Sequence, residues 1–138
     1  MSQAAALTTP LKCEIVTPEA AVLSTRAEFV ALPLYDGELG VLPRHSPMIG
    51  RLGFGELRIT TYERVLRYYV DGGFVQVVNN SVSVLTNRAI PVERLDAAAA
   101  AEQLAAAIST PASGAEAMSI RDRRISQARG QLRIARRG

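Results

Sequence analysis

Residues 36–53 read Asp-Gly-Glu-Leu-Gly-Val-Leu-Pro-Arg-His-Ser-Pro-Met-Ile-Gly-Arg-Leu-Gly. The segment combines four glycines with two prolines. Glycine makes φ > 0 accessible, and proline fixes φ and removes a backbone donor, so a long helix or a long strand is not expected here. Apolar residues recur between these positions, which predicts a shaped loop held against a core. Loops fixed in this way often carry function on a structural scaffold.

The outward polar groups expected in this loop are Glu38, Arg44 and His45, the only histidine of the chain. Ser46 follows the histidine, but no nucleophile-elbow motif accompanies it. A metal site needs several ligands, and one histidine supplies too few. We therefore expect no catalytic residue, no metal and no cofactor, and we assign His45 a structural or interface role.

A second glycine pattern follows in Gly50-Arg51-Leu52-Gly53-Phe54-Gly55. It lacks the lysine of a phosphate-binding loop, and no helix signal comes after it. Turns or bulges explain these glycines better.

On both sides of the loop, short segments alternate apolar and polar residues, as in Leu11, Cys13 and Ile15. The lone Cys13 is expected to be a buried packing residue. Strands are predicted at residues 11–16, 22–26, 28–34, 55–61, 65–70, 74–78 and 82–85. The turns between them are placed at residues 35–37, 62–64, 71–73 and 79–81. This spacing predicts an N-terminal antiparallel β-sandwich or flattened barrel.

The composition changes after Pro91. An alanine-rich segment, unbroken at residues 97–101, predicts a helix that ends near Ile108. After a Ser/Thr/Pro/Gly cluster, a second helix is predicted at residues 116–136. Its expected apolar face consists of Met118, Ile125, Ala128, Leu132 and Ala135. The two helices would form an antiparallel hairpin, which gives predicted domains at residues 1–90 and 91–138.

Charge is distributed unevenly between these two parts. Residues 1–118 carry a net charge of −3, whereas seven arginines and one aspartate give +6 to the remainder. The basic second helix is consistent with a solvated face, with binding of nucleic-acid phosphates or with docking on an acidic protein surface. Charge alone does not separate these alternatives. No run of 18 apolar residues is present, so no transmembrane helix is expected.

Three motifs in order resemble one family. Residues 37–48 read Gly-Glu-Leu-Gly-Val-Leu-Pro-Arg-His-Ser-Pro-Met, residues 72–77 read Gly-Gly-Phe-Val-Gln-Val, and residues 80–86 read Asn-Ser-Val-Ser-Val-Leu-Thr. Together with a Leu-Asp that opens the alanine-rich helix, they resemble the epsilon subunits of F-type ATP synthases, called delta in mitochondria. The resemblance extends over nearly the whole chain from about Leu11.

The resemblance implies a non-catalytic central-stalk subunit that couples proton or sodium flow to ATP synthesis. The expected partners are the gamma subunit and the c-ring for the sandwich, and the alpha and beta catalytic subunits for the helices. No nucleic acid is expected as a partner. The helices would fold against the sandwich or extend along gamma and inhibit ATP hydrolysis. The implied location is peripheral, on the cytoplasmic face of the bacterial plasma membrane.

Individual residues follow from the same resemblance. Glu38, Arg44 and His45 fall in the loop that faces the c-ring, although Arg44 stands where the family usually has glycine. The residues implied for inhibitory docking on the catalytic subunits are Arg121, Arg124, Arg129 and Arg133. Asp96 matches a nucleotide-binding motif of some members, but Ala99 occupies the position of its arginine. Without that cation a phosphate partner is lost, so weak or no ATP binding is expected.

A competing interpretation is a β-sandwich module with a basic helical tail that binds nucleic acid or a scaffold protein. The identity of the partners that co-purify with the chain discriminates between the two interpretations.

Overall fold

The computed structural model describes residues 9–137; residues 1–8 and 138, which the predicted domains 1–90 and 91–138 include, lie outside the described residues. The strands are β1 (Leu11–Val16), β2 (Ala21–Ala27), β3 (Phe29–Leu34), β4 (Gly37–Val41), β5 (Met48–Thr60), β6 (Val65–Val78), β7 (Ser81–Leu85) and β8 (Ala89–Pro91). A 3₁₀ turn (Val92–Arg94) leads into α1 (Ala97–Ser109) and α2 (Ala115–Arg137).

The strands form one sheet in the order β2-β1-β7-β6-β5-β3-β4, and β8 pairs with β6. All of these pairs are antiparallel except β1 with β7, which is parallel. A single apolar cluster contains side chains from strands far apart in this order, such as Ile15 of β1 and Val41 of β4. The sheet must therefore fold over itself into two layers, which confirms the predicted sandwich.

The buried positions follow the alternation expected of half-buried strands. In β1, Leu11, Cys13 and Ile15 are fully buried, and Lys12 between them is exposed. The predicted hairpins around residues 62–64 and 79–81 are confirmed. Asn79 and Asn80 have φ of 50° and 60°, the left-handed conformation that asparagine tolerates in a tight hairpin turn.

The expectation that residues 36–53 exclude a long strand is wrong. Residues 48–53 open the 13-residue strand β5, and residues 37–41 form β4. The glycines allow β3 to lie close to β5. A Cβ on Gly53 would lie 2.8 Å from the carbonyl oxygen of Leu34, and one on Gly55 would lie 2.9 Å from Pro33 Cβ. Strand β3 can therefore cross β5 closely because these side chains are missing.

The turn predicted at residues 71–73 is also wrong, because these residues lie inside β6. Gly73 pairs with Leu52, and Asp71 pairs with Phe54 across the ladder. Gly72 and Gly73 have φ of 70° and 106°. The two glycines locally distort a continuous strand instead of ending it.

The two helices and the break between them are confirmed, but the apolar face predicted for α2 is only partly correct. Met118 is 51% exposed, and the buried residues of α2 are Ala128, Gly130, Gln131 and Ile134. Helix α2 packs against both α1 and strands β5 and β6, so its covered surface is wider than one apolar stripe. The burial of Gly130 and Gln131 was not predicted, because the expected face was built from apolar side chains, and glycine has no side chain while glutamine is polar.

Candidate functional site

The loop between β4 and β5 is held to the β6–β7 turn by Arg44. The backbone N–H of Arg44 donates to Asn80 Oδ1 at 2.9 Å, and Asn80 Nδ2 donates to the Pro10 carbonyl at 3.0 Å. Arg44 has φ of 70°, the left-handed conformation that glycine adopts most readily. The arginine therefore occupies this position without changing the glycine-like backbone.

His45 is half-buried in the same loop. Its backbone N–H donates to the Leu42 carbonyl at 3.2 Å, and its Nδ1 lies 2.7 Å from the Ser46 carbonyl. A carbonyl oxygen only accepts, so this contact assigns the proton to Nδ1. The imidazole is held by its own loop.

Glu38 lies apart from this pair. It occupies β4, and its carboxylate is 3.8 Å from Arg58 Nη2. Arg58 is also 3.8 Å from Glu56, a largely buried carboxylate that accepts from Arg67 Nε at 2.6 Å. In the described part of the chain, the three residues predicted to contact the c-ring therefore form two groups.

The arginines of α2 are mostly available at the surface. Arg124, Arg129 and Arg133 are exposed, whereas Arg121 is half-buried. The Nε of Arg121 is buried and has no hydrogen-bond partner among residues 9–137. Arg133 lines a cleft together with Glu38. One residue predicted for inhibitory docking therefore lies beside one residue predicted for c-ring contact.

One basic residue of α2 was missed by the sequence analysis. Arg137 Nη1 lies 3.9 Å from Glu56, so the last described turn of α2 is paired with β5. No local pattern signals this pair, since the two residues are distant in sequence.

Asp96 serves as the N-cap of α1. Its Oδ1 accepts from the backbone N–H of Ala98 at 2.9 Å and of Ala99 at 3.2 Å. Such a cap satisfies donors that the helix itself leaves unpaired. The carboxylate therefore has a structural task that is independent of any nucleotide.

An exposed apolar face lies on the outer side of β1, β5, β6 and β7, and the sequence analysis did not predict it. Ile49 is 75% exposed, Phe74 is 55% exposed and Leu85 is 47% exposed. Arg51 pairs with Phe74, Phe74 with Leu85, and Leu85 with Val16 in directly opposed registers. We call these five residues, Val16, Ile49, Arg51, Phe74 and Leu85, the apolar face.

The apolar face borders a cleft of about 770 Å³. The Arg51 guanidinium also stacks over the ring of Tyr35, 4.4 Å from its centroid. The available sequence signal was Phe74. It lies on the same outward side of β6 as the polar Gln76, so an apolar residue stands at a position that faces outward. Clustered exposed apolar side chains of this kind mark interaction surfaces.

No group of three potential metal-ligating side chains occurs between residues 9 and 137. Within the same residues, neither helix is long and apolar enough to cross a membrane.

Comparisons with known proteins agree in both sequence and fold. The family model described as "ATP synthase, Delta/Epsilon chain, beta-sandwich domain" matches residues 10–92. The ATP synthase epsilon chain of Rhodopirellula baltica is 52% identical over 126 residues, which cover 91% of this chain and 98% of that one. An epsilon chain of Desulfitobacterium hafniense is 44% identical over 59% of this chain and 62% of its own length.

Two solved structures share the fold. A chain of the Euglena gracilis mitochondrial ATP synthase (OSCP/F1/c-ring) superposes with a TM-score of 0.78 at 20% identity, covering 88% of this chain and 78% of that chain. A chain of the Tetrahymena thermophila mitochondrial ATP synthase (central stalk/c-ring) gives a TM-score of 0.74 at 14% identity over 93% and 98% of the two chains.

Proposed function

The chain belongs to the delta/epsilon family of F-type ATP synthase central-stalk subunits, and from that premise we propose that it links the gamma subunit to the c-ring. In this role it couples proton or sodium flow to ATP synthesis and has no catalytic activity of its own. The observation that carries the proposal is that one sandwich presents two different exposed surfaces, the apolar face and the loop at residues 42–47 with Arg44 and His45.

The apolar face is the proposed contact for gamma. Phe74 and Leu85 are adjacent across the β6–β7 ladder, so a partner that covers one must cover the other. Burying exposed aromatic and aliphatic surface stabilises a complex by roughly 25 cal/mol per Å² before the costs of association. This driving force suits a permanent protein partner such as gamma.

The loop at residues 42–47 is the proposed contact for the c-ring. Its backbone is fixed by the bond between Arg44 and Asn80, so its polar groups are pre-positioned. Arg44 is exposed and His45 is half-buried, which suits a contact with the polar loops of another subunit. Glu38 is proposed to contribute from the opposite end of β4, beside Arg58.

Residues 1–90 and 91–138 are proposed as the stalk-binding and regulatory domains. In the structure α2 rests on β5 and β6, and Arg124, Arg129 and Arg133 remain exposed. With Arg121, these arginines are proposed to dock on acidic surfaces of the alpha and beta subunits when the helices extend, which inhibits ATP hydrolysis. The proposed location is the cytoplasmic face of the bacterial plasma membrane, reached through the complex.

Nucleotide binding is not part of the proposed function. Asp96 is engaged as a helix cap, and Ala99 provides no charged partner for a phosphate. We expect millimolar ATP to leave the amide spectrum of the chain unchanged, and saturable shifts around residues 96–99 would refute this expectation.

The proposed function is tested by recovering partners of the tagged chain from detergent-solubilised membranes. We expect wild-type chain to recover gamma and c-ring, and Phe74→Asp to lose gamma. The matched control is Tyr62→Asp, an exposed aromatic on the β5–β6 turn outside the apolar face, which should retain both partners. Equal recovery by Phe74→Asp, or recovery of nucleic acid in place of gamma, would refute the proposal.

A further inference from the structure

A carboxylate is buried where α2 meets the sheet. Asp71 is only 6% exposed. Its Oδ1 accepts from the Tyr69 hydroxyl at 3.1 Å, and its Oδ2 accepts from Gln127 Nε2 of α2 at 3.1 Å. A buried charge is costly unless it is hydrogen-bonded, so these contacts are a condition for α2 to cover Asp71.

The sheet holds Asp71 in position without help from α2. The backbone N–H of Asp71 donates to Thr86 Oγ1 at 3.0 Å, and Asn87 Nδ2 donates to the Asp71 carbonyl at 3.2 Å. Arg88 Nε lies 3.8 Å from Oδ2. The acceptor that receives Gln127 is therefore already formed on the sheet, and Thr86 and Asn87 also line the cleft beside the apolar face.

Tyr69 supports the same contact. Burial, followed by the nearby Asp71 charge, raises the pKa of Tyr69 well above its ordinary range, so the hydroxyl stays neutral and remains a donor at neutral pH. Gln131 of α2, itself buried, lies near the Tyr69 hydroxyl and acts in the opposite direction, lowering this pKa. Of the two glutamines one helical turn apart, Gln127 bonds to Asp71 and Gln131 packs beside Tyr69.

The close approach needed for the bond between Gln127 and Asp71 depends on Gly130. A Cβ at this position would lie 3.0 Å from the Phe54 carbonyl oxygen and 3.3 Å from Tyr69 Cε1. The glycine lies between Gln127 and Gln131 in sequence and lets the helix approach the sheet within hydrogen-bonding reach.

We propose that Asp71 and Gln127 form a latch, a partly buried hydrogen bond that sets the fraction of chains in which α2 is docked on the sheet. This inference rests on the proposed regulatory role of the helices. A partly buried polar contact suits release, because both groups regain water when α2 leaves and the net stabilisation from the bond is small. A helix held by large apolar side chains alone would be harder to detach.

The first test is hydrogen–deuterium exchange of the full chain with Gln127→Glu. This nearly isosteric change places a second carboxylate against Asp71, and like charges at this distance repel. We expect exchange in residues 124–137 to accelerate by about tenfold or more. Exchange in β6 and β7 should stay unchanged. The control is Gln103→Glu, at an exposed position of α1, and this variant should exchange at the wild-type rate throughout.

A reversal of the hydrogen bond provides the second variant. In Asp71→Asn/Gln127→Glu, the asparagine amide nitrogen donates to the new carboxylate, and its oxygen still accepts from Tyr69. We expect this double variant to restore most of the protection of α2 that Gln127→Glu loses. The latch is overturned if Gln127→Glu leaves α2 protection unchanged, if β6 and β7 lose protection equally, or if the double variant fails to restore it.

The hydrolysis assay separates this inference from the proposed function. In the reconstituted complex, Gln127→Glu should increase inhibition, because undocked helices are available to the catalytic subunits. Faster α2 exchange with unchanged hydrolysis would retain the latch and refute the inhibitory role. Unchanged exchange would refute the latch whatever the hydrolysis rate.

Discussion

Arg44 donates its backbone N–H to the side-chain oxygen of Asn80 across 2.9 Å, and both residues hold left-handed backbone conformations, with φ of 70° and 60°. A non-glycine residue in this conformation costs about 1–2 kcal/mol relative to its preferred regions. The loop at residues 42–47 and the β6–β7 turn are therefore joined through strained Arg44 and through Asn80, which tolerates this conformation. We infer that the shape of this loop depends on that joint.

Replacing Arg44 by glycine should stabilise the chain. The change removes the strain at φ of 70° but adds the entropy of a glycine in the unfolded state, so we expect a net gain of about 0.5–1 kcal/mol. Urea unfolding with an unchanged m-value measures it. Arg26→Gly is the control, because Arg26 lies in β2 without positive φ and should lose about 0.5–1 kcal/mol. A loss of stability in Arg44→Gly equal to the control would contradict the strain.

Substituting Gly73 should be far more damaging than substituting Gly114. Both glycines have positive φ, 106° and 89°. A Cβ at Gly73 would meet the Leu85 carbonyl oxygen, whereas one at Gly114 would meet no atom within 4 Å. We expect Gly114→Ala to cost about 1 kcal/mol and Gly73→Ala at least about 4 kcal/mol, measured by thermal or urea unfolding. Similar losses at the two positions would show that β6 can shift away from β7.

Stability should fall with rising pH above pH 9 because of Cys13. Burial, followed by the adjacent Glu14 charge, raises the pKa of the Cys13 thiol from 9.0 to about 12. Above pH 9 the unfolded chain loses this proton and the folded chain keeps it, so unfolding becomes more favourable by up to about 1.4 kcal/mol per pH unit.

The measurement is the free energy of unfolding between pH 8 and pH 10, compared with Cys13→Ala. The variant should be less stable at pH 8 because it leaves a cavity, but its stability should depend less on pH. Parallel pH profiles for the two proteins would mean that the Cys13 thiol does not contribute to the slope.

Reversing the exposed arginines of α2 should relieve inhibition of ATP hydrolysis. In Arg124→Glu/Arg129→Glu/Arg133→Glu, attraction to an acidic surface becomes repulsion, and Arg121 is kept because it is half-buried. We expect the concentration for half-maximal inhibition in the reconstituted complex to rise about tenfold or more.

The control carries the same charge change on exposed arginines outside α2, in Arg26→Glu/Arg64→Glu/Arg94→Glu. Inhibition should stay at the wild-type level in this variant. Equal relief by both triple variants would indicate a general charge effect without a docking site on α2.

Local patterns predicted the parts of the fold that depend on local chemistry. Alternation placed β1, the asparagine pair placed the β6–β7 turn, and alanine content placed α1. Glycine was misread twice, at residues 50–55 and 71–73, because its role there depends on a neighbouring strand. Gly53 faces Leu34 and Gly73 faces Leu85, and no property of the glycine segments themselves indicates these neighbours.

The candidate site shows the same limit. Glu38 and His45 are close in sequence, but the extended strand β4 separates them, and Glu38 pairs with Arg58 instead. The buried Asp71 was assigned to a turn, so its contact with Gln127 was not expected. Contacts between side chains distant in sequence require the register of the strands, which the sequence analysis did not supply.

The parallel pairing of β1 with β7 affects how the chain assembles. Ser83 Oγ donates to Glu14 Oε1 across 69 positions of sequence, whereas the β5–β6 hairpin is closed by a turn between Thr61 and Arg64. Closing the longer loop costs about 2–3 kcal/mol more in chain entropy. At about 5–20 residues per second, β1 leaves the ribosome roughly 4–14 s before β7.

During this interval the backbone edge of β1 that pairs with β7 has no partner strand. We expect pulsed hydrogen exchange during refolding to show protection of residues 55–70 before residues 11–16. In the cell, the first strands would then be the segment that most needs a chaperone.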